Sequence, residues 1–244
     1  MRAYMHEVFS SIQGEGTHAG RWHVFARFSG CPLRCCYCDT PHARTLCARC
    51  TVHSERPYTL SNPVGVDEVV EAVERMWTPS TEMLSLTGGE PLLYPDFILS
   101  LSELCARPLF LETAGMPHSS ALRVAHVLDA AACDIKLREH NATAHYEELL
   151  QQEIATIRTF VDAGVDVCVK VVVLGGTTPA TIEKVASALR GLPITLVLQP
   201  ASGGPGPLLD ESGLLQLREL SDAAIQYVED VRIMPQLHVL LNVR

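Results

Sequence analysis

The sequence lacks a cluster of basic residues, a long apolar run and an apolar leader segment. It carries 19 Lys and Arg against 28 Asp and Glu, for a formal net charge of −9. A protein that binds nucleic acid needs a basic surface, so a small-molecule substrate fits better. Polar residues interrupt every apolar stretch before it reaches the length of a membrane span. Because MRAYMHEVFSSIQGEG does not have the pattern of a signal peptide, we expect a soluble cytoplasmic protein.

The pattern of apolar residues indicates one α/β domain over residues 1–244, with a polar, proline-containing insertion at 41–62. Strands alternating with helices form a parallel sheet through right-handed crossovers. There are too few strand–helix pairs for an eight-fold barrel, so we predict a partial, open (β/α) barrel. The predicted strands are EVFSSI, HVFARF, EMLSL, PLFL, ACDIKL, VDVCVKVVV, ITLVL and VRIMP; the predicted helices cover 66–77, 95–105, 119–128, 143–163, 179–192 and 209–226, and 201–207 is predicted as a flexible loop.

Four polar segments directly follow predicted strands. The cysteine-rich loop follows HVFARF, TGGE follows EMLSL, ETAG follows PLFL, and a Gln-Pro pair follows ITLVL. In open parallel sheets the chemistry gathers at the carboxyl ends of the strands. We therefore expect these four segments to meet at one edge of the sheet.

Six of the nine cysteines fall between positions 31 and 50. An odd number of cysteines without a signal peptide argues against a disulfide framework. Cys31, Cys35 and Cys38 have the spacing C-x3-C-x2-C, while Cys36 is out of register. Three thiolates can bind three irons of a four-iron cluster and leave the fourth iron open. A structural zinc site completed by Cys36 or by other cysteines is the alternative.

The cysteine loop with Tyr37 before its last cysteine, followed by TGGEP at 87–91, resembles the radical S-adenosylmethionine (SAM) superfamily. The resemblance implies that Cys31, Cys35 and Cys38 ligate a [4Fe–4S] cluster. SAM then binds the open iron, and its reductive cleavage yields a 5′-deoxyadenosyl radical that abstracts hydrogen. The resemblance further implies that Glu90 binds the SAM amino group.

The stretch FSSIQGEGTHAGRWHVFARFSGCPLRCCYCDT, with LQP and PQLH further on, resembles the 7-carboxy-7-deazaguanine synthase family. The resemblance implies conversion of 6-carboxy-5,6,7,8-tetrahydropterin to 7-carboxy-7-deazaguanine with loss of ammonia, in queuosine or archaeosine biosynthesis. It also implies Mg²⁺, a homodimer, and a reductant such as flavodoxin or ferredoxin. Arg27 would pair with the substrate carboxylate, and the Thr40 hydroxyl would bind Mg²⁺. The remaining implied contacts are Ile12, Gln13, Gly14 and Thr87 for substrate, and Tyr37, Cys38, Asp39, Gly89, Asp134, Ile135, Lys136, Gln199, Pro200, Ala201 and Ser202 for SAM.

The insertion adds a second cysteine pair, Cys47 and Cys50, with His53 close by. The pair is interpreted either as a reduced, exposed pair of thiols or as part of a local structural zinc site, for which two cysteines and a histidine still lack a fourth ligand. Two other functions share some of these features. A glycyl-radical-activating enzyme has the same cysteine spacing, and a non-catalytic metal-binding module would use neither Arg27 nor Glu90.

Overall fold

A ten-stranded open sheet forms the centre of the protein in the computed structural model, which describes residues 1–202 and 210–243. A separate two-stranded sheet lies beside it. The strands are β1 (Arg2–Ala3), β2 (Met5–Ile12), β3 (Trp22–Phe28), β4 (Arg49–His53), β5 (Tyr58–Ser61), β6 (Val64–Gly65), β7 (Thr81–Gly88), β8 (Leu109–Thr113), β9 (Ala130–Ile135), β10 (Asp166–Val173), β11 (Thr195–Pro200) and β12 (Asp230–Ile233).

The large sheet has the order β12-β11-β10-β9-β8-β7-β3-β2-β4-β5. The seven strands from β12 to β3 are mutually parallel, whereas β2 runs antiparallel to β3. Residues of β2 and β11 line the same cavity, so the sheet is strongly curved. The predicted α/β class, with an open sheet of mostly parallel strands, is confirmed.

Helices cover one face of the sheet, and the other face lines the cavity. On β10, Val169 and Val171 join the hydrophobic core beneath the helices, while Lys170 and Val172 point into the cavity. This alternation follows from the two-residue period of a strand. The helices are α1 (Val66–Met76), α2 (Pro95–Leu104), α3 (His118–Val124), α4 (Tyr146–Asp162), α5 (Pro179–Ala188), α6 (Glu211–Ala224) and α7 (Leu237–Leu241).

The insertion at 41–62 is more ordered than its composition predicts. It contains the hairpin β4–β5, which extends the sheet beyond β2. Cys50 and Val52 of β4 are fully buried because alternate residues of this strand face the core. The short helix α7 was also missed, and the predicted loop 201–207 lies mostly outside the described residues. No helix in the described ranges is long and apolar enough to cross a membrane.

Candidate active site

The carboxyl ends of the parallel strands surround an open cavity of about 460 Å³. This volume is in the range of small-molecule sites. The structure brings most of the predicted site residues to its wall and leaves Glu90, Ile135, Pro200, Cys47 and Cys50 outside it. The predicted residues that line the cavity are Ile12, Gln13, Gly14, Arg27, Cys31, Cys35, Tyr37, Cys38, Asp39, Thr40, Thr87, Gly89, Asp134, Lys136, Gln199, Ala201 and Ser202.

Hydrogen bonds from two neighbouring segments hold the cysteine loop. The Cys31 N–H donates to the Arg44 carbonyl at 3.0 Å, and the Arg44 guanidinium donates to the Cys35 carbonyl at 2.8 Å. On the other side, the Cys36 N–H donates to the His140 carbonyl at 3.0 Å. The loop is thus fixed by backbone contacts, which leave its cysteine sulfurs free of this structural role.

Three of the four thiols in the loop face the cavity. Cys31, Cys35 and Cys38 line it and pack against a small apolar cluster. Cys36 is exposed, and its Sγ contacts the carbonyl of Glu139 at 3.8 Å. The structure therefore separates the out-of-register cysteine from the other three.

The three cavity-facing thiols fit a [4Fe–4S] cluster. Burial raises the pKa of Cys31 to about 11 and also raises the pKa of Cys35, so metal binding must displace their protons. In the described part of the chain, the sulfurs of Cys31, Cys35 and Cys38 are not all within 4.8 Å of one another, as ligands of one ion would be. Three thiols that line one cavity match a cluster in which each thiolate binds a different iron and the fourth iron stays open.

The TGGE segment at the end of β7 packs directly on the cysteine loop. A Cβ on Gly89 would lie 2.1 Å from the carbonyl oxygen of Gly30, so only glycine permits this approach. The buried Glu90 carboxylate accepts hydrogen bonds from the Thr113 hydroxyl at 2.6 Å and the Ala114 N–H at 2.8 Å. Burial raises the pKa of Glu90 to about 7, although these hydrogen bonds act to lower it. Glu90 therefore fastens the ends of β7 and β8 together.

Two buried lysines and two half-buried carboxylates form a network of alternating charge in the cavity wall. Lys136 Nζ lies 2.9 Å from Asp134, Lys170 Nζ lies 3.2 Å from Asp134, and Lys170 also pairs with Glu15. Burial opposes ionisation of Asp134, but the two lysines lower its pKa to about 2. Sequence reasoning missed Lys170 and Glu15. A lone charge inside the apolar run VDVCVKVVV was the available signal for Lys170.

Tyr37 is held between Lys136 and His140. The Lys136 ammonium lies 5.5 Å from the centre of the Tyr37 ring, and the His140 ring meets Tyr37 at 4.7 Å in an edge-to-face contact. His140 accepts from the Leu137 N–H through Nδ1 and donates to the Val172 carbonyl through Nε2. Burial and the Lys136 charge lower the pKa of His140 to about 4, so the imidazole is neutral and its tautomer is fixed.

The SIQGEG segment forms the floor of the cavity. Gln13 donates to Glu112 at 2.7 Å, and the Thr87 hydroxyl donates to the other oxygen of the same carboxylate. A Cβ on Gly14 would lie 2.0 Å from Nδ1 of His238, so the C-terminal segment packs directly on this floor. Glu112, which sequence reasoning did not single out, joins two of the predicted substrate contacts.

Arg27 lies in the cavity wall but has a partner within the protein. Its Nε donates to Glu7 at 2.9 Å, and its guanidinium lies 5.3 Å from the centre of the Phe9 ring. The Glu7 carboxylate also bonds His53 at 3.0 Å. A ligand carboxylate at Arg27 therefore meets a guanidinium that is already oriented.

The ends of β9 and β11, together with the C-terminal segment, form another part of the cavity wall. Gln236 donates to Asp39 at 3.2 Å, next to Thr40. The buried Oε1 of Gln199 has no hydrogen-bond partner among the described residues. Ile135 and Pro200 do not line the cavity, because they alternate with residues that do.

Cys47 and Cys50 do not converge on a third metal ligand. The expectation of an exposed pair is wrong: Cys50 is fully buried in the hydrophobic core because it faces inward on β4. Cys47 is half-buried and lies 3.1 Å from the Ser29 hydroxyl. His53 bonds Glu7 instead of approaching the pair. Within the described ranges, neither cysteine belongs to a group of three ligands within 4.8 Å of one another.

The chain matches the radical SAM superfamily over residues 26–189. It is 39% identical to the 7-carboxy-7-deazaguanine synthase of Methanothermobacter thermautotrophicus, in an alignment covering 100% of this chain and 99% of that relative. It is also 34% identical to the synthase of the same name from Geobacter sulfurreducens, with 97% and 96% covered.

Two solved structures share the fold. The crystal structure of QueE from Escherichia coli aligns with a TM-score of 0.58 at 19% identity, covering 98% of this chain and 95% of that one. A radical SAM methyltransferase from Sphaerobacter thermophilus aligns with a TM-score of 0.61 at 16% identity, covering 93% and 77%. The superfamily match and the full-length relatives agree with the cysteine loop and cavity: the chain belongs to the 7-carboxy-7-deazaguanine synthase family of the radical SAM superfamily.

Proposed function

We propose that the chain is a radical SAM lyase that converts 6-carboxy-5,6,7,8-tetrahydropterin to 7-carboxy-7-deazaguanine with loss of ammonia. The product belongs to 7-deazapurine biosynthesis, which leads to queuosine or archaeosine in tRNA. The observation that carries the proposal is that one cavity is lined by the three-cysteine loop, the TGGE segment and the SIQGEG floor. Full-length relatives that bear this synthase name support it.

In this proposal the cavity divides into a cofactor side and a substrate side. Cys31, Cys35 and Cys38 hold the cluster. When bound, the cluster and SAM supply the one-electron chemistry that starts hydrogen abstraction. Gly89 lets the TGGE segment pack directly on the cysteine loop, where it can contact SAM, and Lys136 lies over the Tyr37 ring on the same side.

On the substrate side, Arg27 orients the substrate carboxylate and the Thr40 hydroxyl contributes a hard oxygen ligand to Mg²⁺. Gln13 and Thr87, both held by Glu112, present donors and acceptors to the flat heterocycle. The ion pairs of Lys170 with Glu15 and Asp134 keep these walls rigid. Removing water from such a site strengthens every polar contact within it.

Further parts of the proposal concern the surroundings of the enzyme. We infer one radical SAM domain over the chain, since a single hydrophobic cluster extends from Ala3 to Val228. We also propose that the protein is cytoplasmic, that it forms a homodimer, and that a flavodoxin or ferredoxin supplies its electrons.

The test is an anaerobic assay with reconstituted cluster, SAM, dithionite, Mg²⁺ and 6-carboxytetrahydropterin. The expected result is 7-carboxy-7-deazaguanine, detected by mass spectrometry, without stoichiometric consumption of SAM. Formation of 5′-deoxyadenosine without any deazaguanine would leave the radical SAM chemistry in place and refute the substrate.

A further inference from the structure

A second group of side chains with metal-ligand atoms lies beside the cavity and includes none of the cysteines. His6 and Glu7 belong to β2, and His42 belongs to the short helical turn after Thr40. One ligand atom from each of the three lies within 4.8 Å of the other two. The rings of His6 and His42 are 4.5 Å apart, centre to centre. Two separate segments of the chain thus bring three donors to one point.

A β-bulge explains how two adjacent strand residues join the same group. Neighbouring side chains on a regular strand point to opposite faces. Here the register of β2 against β3 shifts between Met5, opposite Phe28, and Glu7, opposite Arg27, so His6 is an extra residue. A bulge re-aims a side chain, and such bulges are common beside functional sites. This one places His6 on the side of Glu7.

The three side chains are in a state that suits metal binding. Nδ1 of His6 is screened from solvent and has no hydrogen-bond partner among the residues that the structure describes. Glu7 is oriented from two directions, by Arg27 on one oxygen and His53 on the other. Outer partners of this kind commonly fix metal ligands in their orientation.

We propose that His6, Glu7 and His42 bind one divalent transition-metal ion of the zinc type. Two imidazoles and a carboxylate form a donor set that zinc uses when one coordination position stays open. The hard Mg²⁺ ion prefers oxygen ligands and is not expected here. The site is distinct from the three cysteines and from the Thr40 hydroxyl, and it does not depend on the proposed function.

The ion would connect β2 to the segment that follows the cysteine loop. Arg44, two residues beyond His42, holds that loop through the Cys31 N–H and the Cys35 carbonyl. Because Glu7 and His42 also line the cavity, the metal would lie in the cavity wall. The site therefore serves to fix the wall of the cavity beside Arg27.

The experiment measures zinc binding to the cluster-loaded protein, in which the three cysteines are already occupied by iron. Equilibrium dialysis against buffered Zn²⁺, followed by elemental analysis, should give one zinc per chain in addition to the cluster iron. His42→Ala and His6→Ala should each weaken zinc binding more than about tenfold. Losing a residue that only hydrogen-bonds a metal ligand already lowers metal affinity by about that factor, and loss of a ligand should cost more. The matched control His126→Ala removes an exposed histidine elsewhere and should leave zinc binding unchanged.

Further measurements decide where the ion sits. Co²⁺ in place of Zn²⁺ should give visible ligand-field bands without thiolate charge transfer, and a large excess of Mg²⁺ should not displace it. Absence of the extra zinc, or equal binding in wild type, His42→Ala and His6→Ala, would overturn the proposal. If Cys47→Ser loses the extra zinc while His42→Ala and His6→Ala keep it, the ion binds at Cys47 and Cys50. That result would also overturn the proposal.

Discussion

Cys35 and Cys36 are adjacent in the chain but face opposite environments. Cys35 is buried and lines the cavity, whereas Cys36 is exposed and its sulfur contacts the Glu139 carbonyl. The backbone of this pair is held from both sides, by Arg44 at Cys35 and by His140 at Cys36. Two neighbouring thiols therefore have different surroundings: one faces the cavity and the other the protein surface.

Replacing each thiol in turn tests this difference. Cys35→Ser should abolish the iron–sulfur cluster, because it removes one of three ligands. Cys36→Ser should retain the iron content of the wild-type protein. Iron per chain and the visible absorption after anaerobic reconstitution measure both. Equal iron loss in the two variants would contradict the assignment.

Arg27→Ala should abolish substrate turnover and leave the cluster and SAM cleavage intact. The guanidinium lies in the cavity wall beside Glu7, where it can pair with a ligand carboxylate. The assay compares 5′-deoxyadenosine with deazaguanine formed by the variant. Arg75→Ala removes an exposed, helix-surface arginine and serves as the control. Wild-type turnover by Arg27→Ala would rule out its assigned role.

Lys170→Met should destabilise the apoprotein by about 3 kcal/mol, since it removes a buried cation and leaves the half-buried carboxylates of Glu15 and Asp134 short of a counter-charge. The free energy of unfolding in urea measures the effect. Lys184→Ala, which removes an exposed ion pair with Glu147, should cost less than about 1 kcal/mol. A similar small loss in both variants would show that the buried network contributes little.

The stability of the apoprotein should fall with rising pH because of Glu90. Burial raises the pKa of Glu90 from 4.5 to about 7, so the folded state favours the protonated form. This stabilisation is complete below pH 4.5 and is lost as the pH rises towards 7. Between roughly pH 5 and 7, the unfolding free energy of the wild type should fall relative to Glu90→Gln by about 1.4 kcal/mol per pH unit. Parallel pH profiles would refute the prediction.

The sequence is most informative where local patterns carry the structure. β10 was predicted from its β-branched run, and α1 from the helical spacing of its apolar residues. The carboxyl ends of the predicted strands also located the edge at which the cavity lies. Each of these patterns acts over a few residues, so no knowledge of distant neighbours was needed.

The hairpin β4–β5 and the partners of the buried charges were beyond such reasoning. Residues 41–62 look polar, yet Val52 pairs with Val8 of β2, and both Cys50 and Val52 become core residues. Glu15 and Lys170 meet only because the curved sheet brings a loop near the N-terminus to β10. The hydrogen-bond partners of Glu90 could not be predicted either, because Thr113 and Ala114 lie at the end of the neighbouring strand β8.

The sequence by itself determined the three-cysteine spacing, the alternation of helices and strands from α1 to β12, and the motifs that carry the family resemblance. These depend on residue identity and on short periodicities. Only the tertiary structure decided which charges pair, which cysteine turns away from the cavity, and that His6, Glu7 and His42 converge. Such relationships depend on strand register, a bulge and the curvature of the sheet, which arise when distant segments pack together.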